Sequence, residues 1–235
     1  MPLACEVRRP QVLPPRKPIL DTSLVFYAPL WHPGLAISPF LSKNPGAVHT
    51  CTVTGALWTP QGRSFDGNDD KIDCGNSVAL QLTTTISTIF WYKPIAYATN
   101  EDGRIYRKIE NLGGSNRGGY SLRLRGIEHK LEVLFGINTT AYEGLSTVGT
   151  YSLDSFICVG MRRNGSSCQL LVNGEIVATI STLGASWNNA PNTNLDVGSS
   201  ATGGVCVIGE GLVSNRYLAV GEFMDNYLAT KWRYR

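Results

Sequence analysis

Glu128 and Glu132, four residues apart, are the carboxylates in this sequence that first suggest hydrolytic chemistry. Hydrolysis of a glycosidic bond needs two carboxyl groups about 5–10 Å apart in a cleft. Both glutamates fall on a predicted strand with apolar neighbours, a pattern typical of a half-exposed sheet edge. The three histidines lie outside any Gly-x-Ser-x-Gly motif: His32, His49 and His129. We therefore predict no catalytic residues and no enzymatic activity.

A tryptophan followed by two asparagines at 187–189 has the composition of a carbohydrate site. Such sites combine an aromatic platform with a few well-placed hydrogen-bonding groups. Tyr142 and, more loosely, Tyr97 are further aromatic candidates. The alternative is that the tryptophan is buried and closes the open end of the fold. The predicted ligand-binding residues are Trp187, Asn188, Asn189 and Tyr142.

The net charge of +3 is concentrated in the first 18 residues, where four basic residues oppose Glu6. The rest of the chain is neutral, which argues against a nucleic-acid-binding face. Five prolines keep residues 1–20 extended. We predict a basic arm that docks on neighbouring subunits, with simple solvation as the alternative. The predicted partner-binding residues are Arg8, Arg9, Val12, Leu13, Arg16 and Lys17.

Neither a membrane span nor an export signal is visible in the sequence. No apolar run is long enough to cross a bilayer, and the first residues lack the basic and apolar regions of a secretory signal. The cysteines form no C-x-x-C pair, which argues against a zinc site. Cys51, Cys74, Cys158 and Cys206 fall in strand-like runs and are predicted to be buried free thiols. Cys5, in the arm, could form an intermolecular bridge.

Short runs of β-branched and aromatic residues alternate with turns rich in Gly, Pro and Asn, which predicts about twelve strands. Residues 83–94 carry apolar groups on both faces, so we expect a central strand there. Asn164-Gly165 and Asn173-Gly174 predict tight turns that join three strands into a meander. Apolar spacings of three and four after Leu218 predict an amphipathic helix outside a sandwich edge. The fold class is all-β: a two-sheet antiparallel sandwich spanning residues 21–235, with a C-terminal helix.

Phe65-Asp66-Gly67-Asn68-Asp69-Asp70 has the residues of a tight turn between two strands. It resembles the F-D-G-x-D-D hairpin of laminin-G-like, concanavalin A-like jelly-roll domains. Three later segments resemble that family in the expected order: 89–94, 168–175 and 194–199. The resemblance implies a concanavalin A-like sandwich over roughly residues 22–215.

The segment 227–232, Tyr-Leu-Ala-Thr-Lys-Trp, resembles the Y-L-x-x-K-W ending of laminin-G-like domains in tailed-phage structural proteins and environmental bacterial surface proteins. Together with the missing export signal, this resemblance implies a virion protein made in the host cytoplasm. It would be a capsid decoration or tail-associated protein bound through its arm to other virion proteins or to its own copies, as a homo-oligomer. The alternative is a carbohydrate-binding module of a surface protein.

Calcium-binding members of the family often place a carboxylate just after the first strand, where this sequence reads Leu30-Trp31-His32. A calcium ion would therefore need other ligands, since this cation takes six to eight oxygens. The available carboxylates are Asp66, Asp69, Asp70 and Glu210. Because the same acids are suited to capping turns, we expect no cofactor and no metal, with calcium as the alternative.

Overall fold

The computed structural model describes residues 19–46, 48–99, 103–111, 117–137, 142–198 and 204–235. Within these ranges the chain forms two antiparallel sheets of eight strands each and a short C-terminal α-helix. No helix in the described ranges is both long and apolar enough to cross a membrane. Six predicted partner-binding residues lie outside the described residues, as does Cys5: Arg8, Arg9, Val12, Leu13, Arg16 and Lys17.

The first sheet is built around one long strand that is buried along almost its whole length. This strand lies between two others in the middle of the sheet, as its two apolar faces predict. In spatial order the strands are β14 (Glu175–Ile180), β13 (Ser167–Val172), β12 (Ile157–Asn164), β7 (Thr85–Pro94), β16 (Cys206–Ser214), β5 (Gly62–Phe65) and β4 (Leu57–Thr59), and β1 (Leu24–Ala28) also pairs with β16.

The second sheet begins with four longer strands, each paired with its neighbour in the sequence. Its other half consists of short strands from distant parts of the chain. In spatial order the strands are β11 (Tyr142–Ser146), β10 (Leu131–Gly136), β9 (Arg117–Leu124), β8 (Gly103–Asn111), β15 (Asp196–Val197), β6 (Lys71–Asp73), β3 (Thr50–Thr54) and β2 (Phe40–Leu41).

The main hydrophobic core lies between the two sheets. Alternate residues of β7 and of β8–β10 point into it, since successive side chains in a strand face opposite sides. Phe90 stacks on Tyr106 with ring centroids 4.8 Å apart, and both are completely buried. The predicted antiparallel sandwich is confirmed.

The C-terminal helix α1 (Val220–Thr230) covers the outer face of the first sheet and is followed by a 3₁₀ turn at Lys231–Tyr234. A second apolar cluster lies beneath it and includes Trp91, Cys158 and Phe223. The helix was expected on the outside of a sandwich edge. It does lie outside the sandwich and contacts the edge strand β14, but it also extends over the middle of the sheet. The outward apolar side chains belong to β7 and β12 in the middle of the sheet, so the apolar face of the helix packs there.

Two predicted turns differ from the structure. The acidic turn at 66–70 was expected to close a hairpin, but β5 lies in the first sheet and β6 in the second. The turn therefore carries the chain from one sheet to the other. In the meander, Asn164 pairs with Ser167, so the first tight turn is Gly165-Ser166 rather than Asn164-Gly165. The second turn is confirmed: Asn173 and Gly174 have φ angles of 53° and 88°, as a type I′ turn requires.

The cysteine prediction is confirmed for the described residues. Cys51, Cys74, Cys158, Cys168 and Cys206 are all buried and free. Burial raises the pKa of the Cys168 thiol to about 12. These thiols therefore act as small apolar side chains of the core.

Candidate functional site

Four arginines lie together on the outer face of the second sheet, and we call this surface the arginine face: Arg104, Arg107, Arg117 and Arg123. They come from β8 and β9, whose alternate residues Tyr106 and Leu122 are buried in the core. Arg104 lies directly opposite Arg123 in the strand pairing. The arginines line a cavity of about 240 Å³ together with Ile109, Ser121, Leu134 and Tyr142. All eight lining residues belong to β8–β11.

Two carboxylates balance part of the charge of the arginine face. Arg107 Nε lies 3.3 Å from Asp196 Oδ2, and Arg123 Nη2 lies 2.6 Å from Glu132 Oε2. Burial raises the pKa of the Asp196 carboxyl, while the positive charges of Lys71 and Arg107 oppose that shift. Two of the four arginines that line the cavity are thus held by carboxylates of neighbouring strands.

Arg117 is held at the rim of the cavity from two sides. Its guanidinium lies over the Tyr142 ring, 4.4 Å from the centroid. Its backbone carbonyl accepts a hydrogen bond from Asn188 Nδ2 at 3.1 Å. The Asn188 carbonyl in turn accepts the Gly119 amide at 2.8 Å. Two of the four predicted ligand-binding residues, Tyr142 and Asn188, are thus brought together by an arginine that the sequence did not single out.

Trp187 is not the exposed platform that a sugar site would need. Its ring is 3% exposed and packs on Phe135, with centroids 4.9 Å apart. The Arg163 guanidinium lies 4.6 Å from the same ring. The alternative interpretation of Trp187, a buried plug, is therefore the correct one. Asn189, the neighbouring predicted residue, is partly buried.

Two buried cations explain why the loop that contains Trp187 turns inward. Arg163 donates from Nη2 to the Gly184 carbonyl at 2.6 Å, and its guanidinium is also 4.2 Å from the Phe135 centroid. Lys108, 1% exposed, donates to the Ala190 carbonyl at 2.9 Å. Because a buried cation must find oxygen partners, these contacts fix the loop against both sheets. In the sequence these two cations appear only as basic residues within strands that carry other basic residues as well.

The three aspartates proposed as calcium ligands do lie together. One carboxylate oxygen from each of Asp66, Asp69 and Asp70 lies within 4.8 Å of the other two. Asp70 Oδ2 accepts the Asp66 amide and Asp66 Oδ1 accepts the Asn68 amide, both at 2.8 Å. In these bonds the carboxylates cap the turn, which is the role that the sequence predicted for them in place of calcium binding.

Glu210, the fourth calcium candidate, has different partners. Its Oε2 accepts a hydrogen bond from Trp31 Nε1 at 3.0 Å and lies 3.3 Å from Arg233 Nη1. Burial raises the pKa of this carboxyl above its usual value, and the contacts with Trp31 and Arg233 offset only part of that rise. Glu210 therefore joins the C-terminal turn to β16.

The carboxylates and histidines considered for catalysis are held in structural contacts. Glu128 lies 3.2 Å from both Arg125 and Lys130. His49 is buried, with Nε2 2.6 Å from the Val25 carbonyl. The His129 ring stacks on Tyr97 with centroids 3.5 Å apart.

Comparison with known proteins gives a family and a set of similar folds. The family model described as the concanavalin A-like lectin/glucanases superfamily matches residues 66–209, more than half of the chain. No curated protein matches the chain in sequence.

Among solved structures, a Trypanosoma rangeli sialidase in complex with sialic acid is similar, with a TM-score of 0.66 and 12% identity over 91% of this chain. The receptor binding domain of botulinum neurotoxin D is similar, with a TM-score of 0.60 and 15% identity over 87% of this chain. The binding domain of botulinum neurotoxin serotype G gives a TM-score of 0.58 and 13% identity over 80% of this chain. The chain spans 34% of the sialidase, 52% of the serotype D domain and 49% of the serotype G domain.

Proposed function

This chain belongs to the concanavalin A-like lectin/glucanases superfamily, and from that membership we propose that it is a non-catalytic carbohydrate-binding module. The ligand would lie on the arginine face, over the cavity between β8 and β11. The observation that carries this proposal is the combination of Tyr142 with four guanidinium groups around one depression of the sheet. It is an aromatic ring surrounded by a few fixed hydrogen-bond donors, which is the make-up of a small-molecule site.

The similar solved structures support a role in binding. One is a sialidase in complex with sialic acid, and another is the receptor binding domain of a neurotoxin. At 12–15% identity these likenesses show the shared fold. The choice of ligand therefore has to come from the side chains of this chain itself, and the arginine face supplies them.

A matched pair of tyrosines tests the proposal. Tyr142 lies under Arg117 and Tyr217 lies under Arg162, each with the guanidinium 4.4 Å from the ring centroid. Tyr217 follows β16 and lies away from the arginine face, so its substitution controls for loss of an arginine–tyrosine stack. On a glycan array we expect the wild type and Tyr217→Ala to bind the same saccharides, and Tyr142→Ala to lose them. Equal binding by Tyr142→Ala, or no binding by the wild type, would count against this function.

A second candidate function is attachment to a virion through the basic arm, with neighbouring subunits or other copies of the chain as partners. The favouring observation is where the arm joins the body. The Ile19 amide donates to Asn226 Oδ1 of α1 at 3.4 Å, and Asp21 lies 2.6 Å from Arg216. The arm therefore meets the body beside the helix, on the first sheet and away from the arginine face.

Deletion of residues 1–18 tests this attachment. We expect the full chain to self-associate and to sediment with assembled particles, and the shortened chain to be monomeric with an unchanged melting temperature. Light scattering and co-sedimentation measure the two properties. A shortened chain that still enters particles would show that the arm is not the attachment.

A further inference from the structure

We infer that Cys51 and Cys74 are a redox modification site, which closes to a cross-strand disulfide under oxidising conditions and reopens under reducing ones. The two residues belong to the half of the second sheet that is built of short strands. There β3 pairs with β6 so that Thr52 lies opposite Asp73. In an antiparallel pair the residue before the first then lies opposite the residue after the second, so Cys51 faces Cys74.

The strand pairing puts the two cysteines at a position that a disulfide can bridge. The Ser42 amide donates to the His49 carbonyl on the side of β2, and Cys51, two residues on, has its peptide groups on that same side. The Cys74 amide donates to the Leu195 carbonyl on the other side, at 2.8 Å. The two cysteines are therefore a non-hydrogen-bonded pair. The Cα atoms of such pairs lie about 4.5 Å apart, within the range of about 4.4–6.8 Å found in disulfides.

Both thiols point to the same side of the sheet, into the core. Cys51 and Cys74 are 0% and 1% exposed and belong to the hydrophobic cluster between the sheets. Burial raises the pKa of the Cys74 thiol well above its usual value, and the neighbouring Cys51 side chain raises it further. The two side chains are therefore in contact, and a bond between them needs rotation of the side chains rather than movement of the strands.

The short strands on either side of the pair give a reagent a way in. The edge strand β2, which covers β3, has two residues, and β15, on the far side of β6, has two. Such strands open locally at a low cost in free energy because few hydrogen bonds hold them. Since the thiolate is the reacting form, the raised pKa of Cys74 keeps the closed pair unreactive. Oxidation therefore proceeds through the opened edge.

The oxidant is a small disulfide, for example oxidised glutathione. The Cys51 thiolate, beside the edge strand, attacks one sulfur of the reagent and expels a glutathione thiolate. The Cys74 thiolate then attacks the Cys51 sulfur of the mixed disulfide and expels the second glutathione. The two protein thiols lose two protons and two electrons, and the glutathione disulfide takes them up as two thiols. The pair stays reduced in a reducing cytosol and closes in an oxidising compartment.

The bond closes a segment that crosses between the two sheets. From Cys51 to Cys74 the chain leaves β3, forms β4 and β5 in the first sheet, and returns through the acidic turn at 66–70 to β6. A disulfide that closes such a loop restricts the unfolded chain. We therefore expect the oxidised protein to melt about 5–10 °C above the reduced protein.

The test incubates the folded protein with oxidised glutathione and digests it with trypsin without reduction. Trypsin cuts after Arg63 and Lys71, between the two cysteines, so the disulfide joins two separate peptides. Mass spectrometry should find peptides 44–63 and 72–104 linked, and dithiothreitol should separate them. Absence of this link, or a link from Cys51 to another cysteine, would overturn the inference.

Three variants check that the higher melting temperature comes from this pair. Cys51→Ala and Cys74→Ala each remove one partner, so oxidised glutathione should no longer raise the melting temperature. Cys168→Ala is the matched control, because it removes an equally buried thiol from the first sheet and should keep the full rise. Circular dichroism confirms that each variant is folded. A rise that persists in Cys74→Ala would assign the effect to other thiols and overturn the inference.

Discussion

In both sheets the outer face is formed by alternate side chains of the strands, yet one outer face is covered and the other is open. The first sheet presents apolar groups such as Trp91 and Cys158, and helix α1 covers them. The second presents the arginine face, which forms an open depression built from its own strands alone. The comparison shows that the residues at outward positions decide whether a face is covered by the chain itself or stays open.

The covered face is closed by rings that fit the sheet closely. Trp91 stacks on Tyr227 and Tyr234, with centroids 5.7 and 4.4 Å away, and its Nε1 donates to Thr230 Oγ1 at 2.8 Å. Two glycines of the first sheet leave room for aromatic rings of the C-terminal segment. A Cβ at Gly160 would lie 2.6 Å from the Phe223 ring, and a Cβ at Gly209 would lie 2.2 Å from the Tyr234 ring.

The largest effect in this comparison should come from Trp91→Ala. It removes a buried ring and the partner of both tyrosines, so we expect a loss of about 3–5 kcal/mol in the free energy of unfolding. Urea denaturation measures the loss. Trp232→Ala is the matched control, since that ring is 65% exposed and should cost less than about 1 kcal/mol. Equal losses for the two variants would mean that the helix does not seal this face.

The second largest loss of stability should come from adding a methyl group at these two glycines. Gly160→Ala and Gly209→Ala should each cost about 1–3 kcal/mol, because the added methyl group would clash with a ring of the C-terminal segment. Hydrogen exchange should become faster at residues 220–234. Gly221→Ala is the control, since a Cβ there meets no atom within 4 Å. Unchanged exchange in Gly160→Ala would show that the helix packing tolerates the methyl group.

A smaller, pH-dependent effect should come from Glu222→Gln at the start of α1. Hydrogen bonds from Arg216 lower the pKa of Glu222. The ionised carboxylate therefore stabilises the fold at pH values above the usual carboxyl range, and this stabilisation is lost as the pH falls through the lowered pKa. Glutamine can keep the hydrogen bond from the Ala219 amide. We therefore expect a loss of about 0.5–1 kcal/mol at pH 7 that disappears in acid.

The control for this pH effect is Glu175→Gln. Glu175 is exposed in β14, and its substitution removes the same charge away from Arg216. Thermal denaturation at several pH values should separate the two variants at neutral pH. A Glu222→Gln deficit that does not change with pH would mean that the ion pair is not its source.

The smallest effect on stability should come from the open face. Arg117 is partly exposed and its guanidinium lies on the surface, so Arg117→Ala should change the free energy of unfolding by about 0.5 kcal/mol or less. The same variant should lose ligand affinity. A large loss of stability would instead make Arg117 a structural residue and remove the contrast between the faces.

The sequence was sufficient for the features that depend on neighbouring residues. Alternation identified β7 as a central strand, spacing identified the helix, and Asn173-Gly174 identified its tight turn. It was insufficient where distant strands have to be paired. Nothing local indicates that Phe65 ends a strand of one sheet while Lys71 begins a strand of the other.

The arginine face was missed for the same reason. Arg104 and Arg107 are three residues apart, so strict alternation would place them on opposite faces of β8. A shift in the strand pairing between Arg104 and Tyr106 puts both on the outer face. Such a bulge is set by the partner strand and is invisible in a single sequence. Trp187 was one of the four predicted ligand-binding residues because nothing near it in the sequence indicates that Arg163 of β12 packs on its ring.

The most direct test of the contrast between the two faces compares two charge-matched double variants. Each is titrated in a calorimeter with a saccharide that the glycan array shows the wild type to bind. Arg104→Ala with Arg117→Ala removes two cations from the open face. Lys93→Ala with Lys231→Ala removes two from the side of the first sheet, where Lys231 lies 5.3 Å from the Tyr227 ring. We predict that the arginine pair loses binding while the lysine pair keeps wild-type affinity. Equal losses for the two pairs, or a loss confined to the lysine pair, would contradict the assignment of the ligand to the open face.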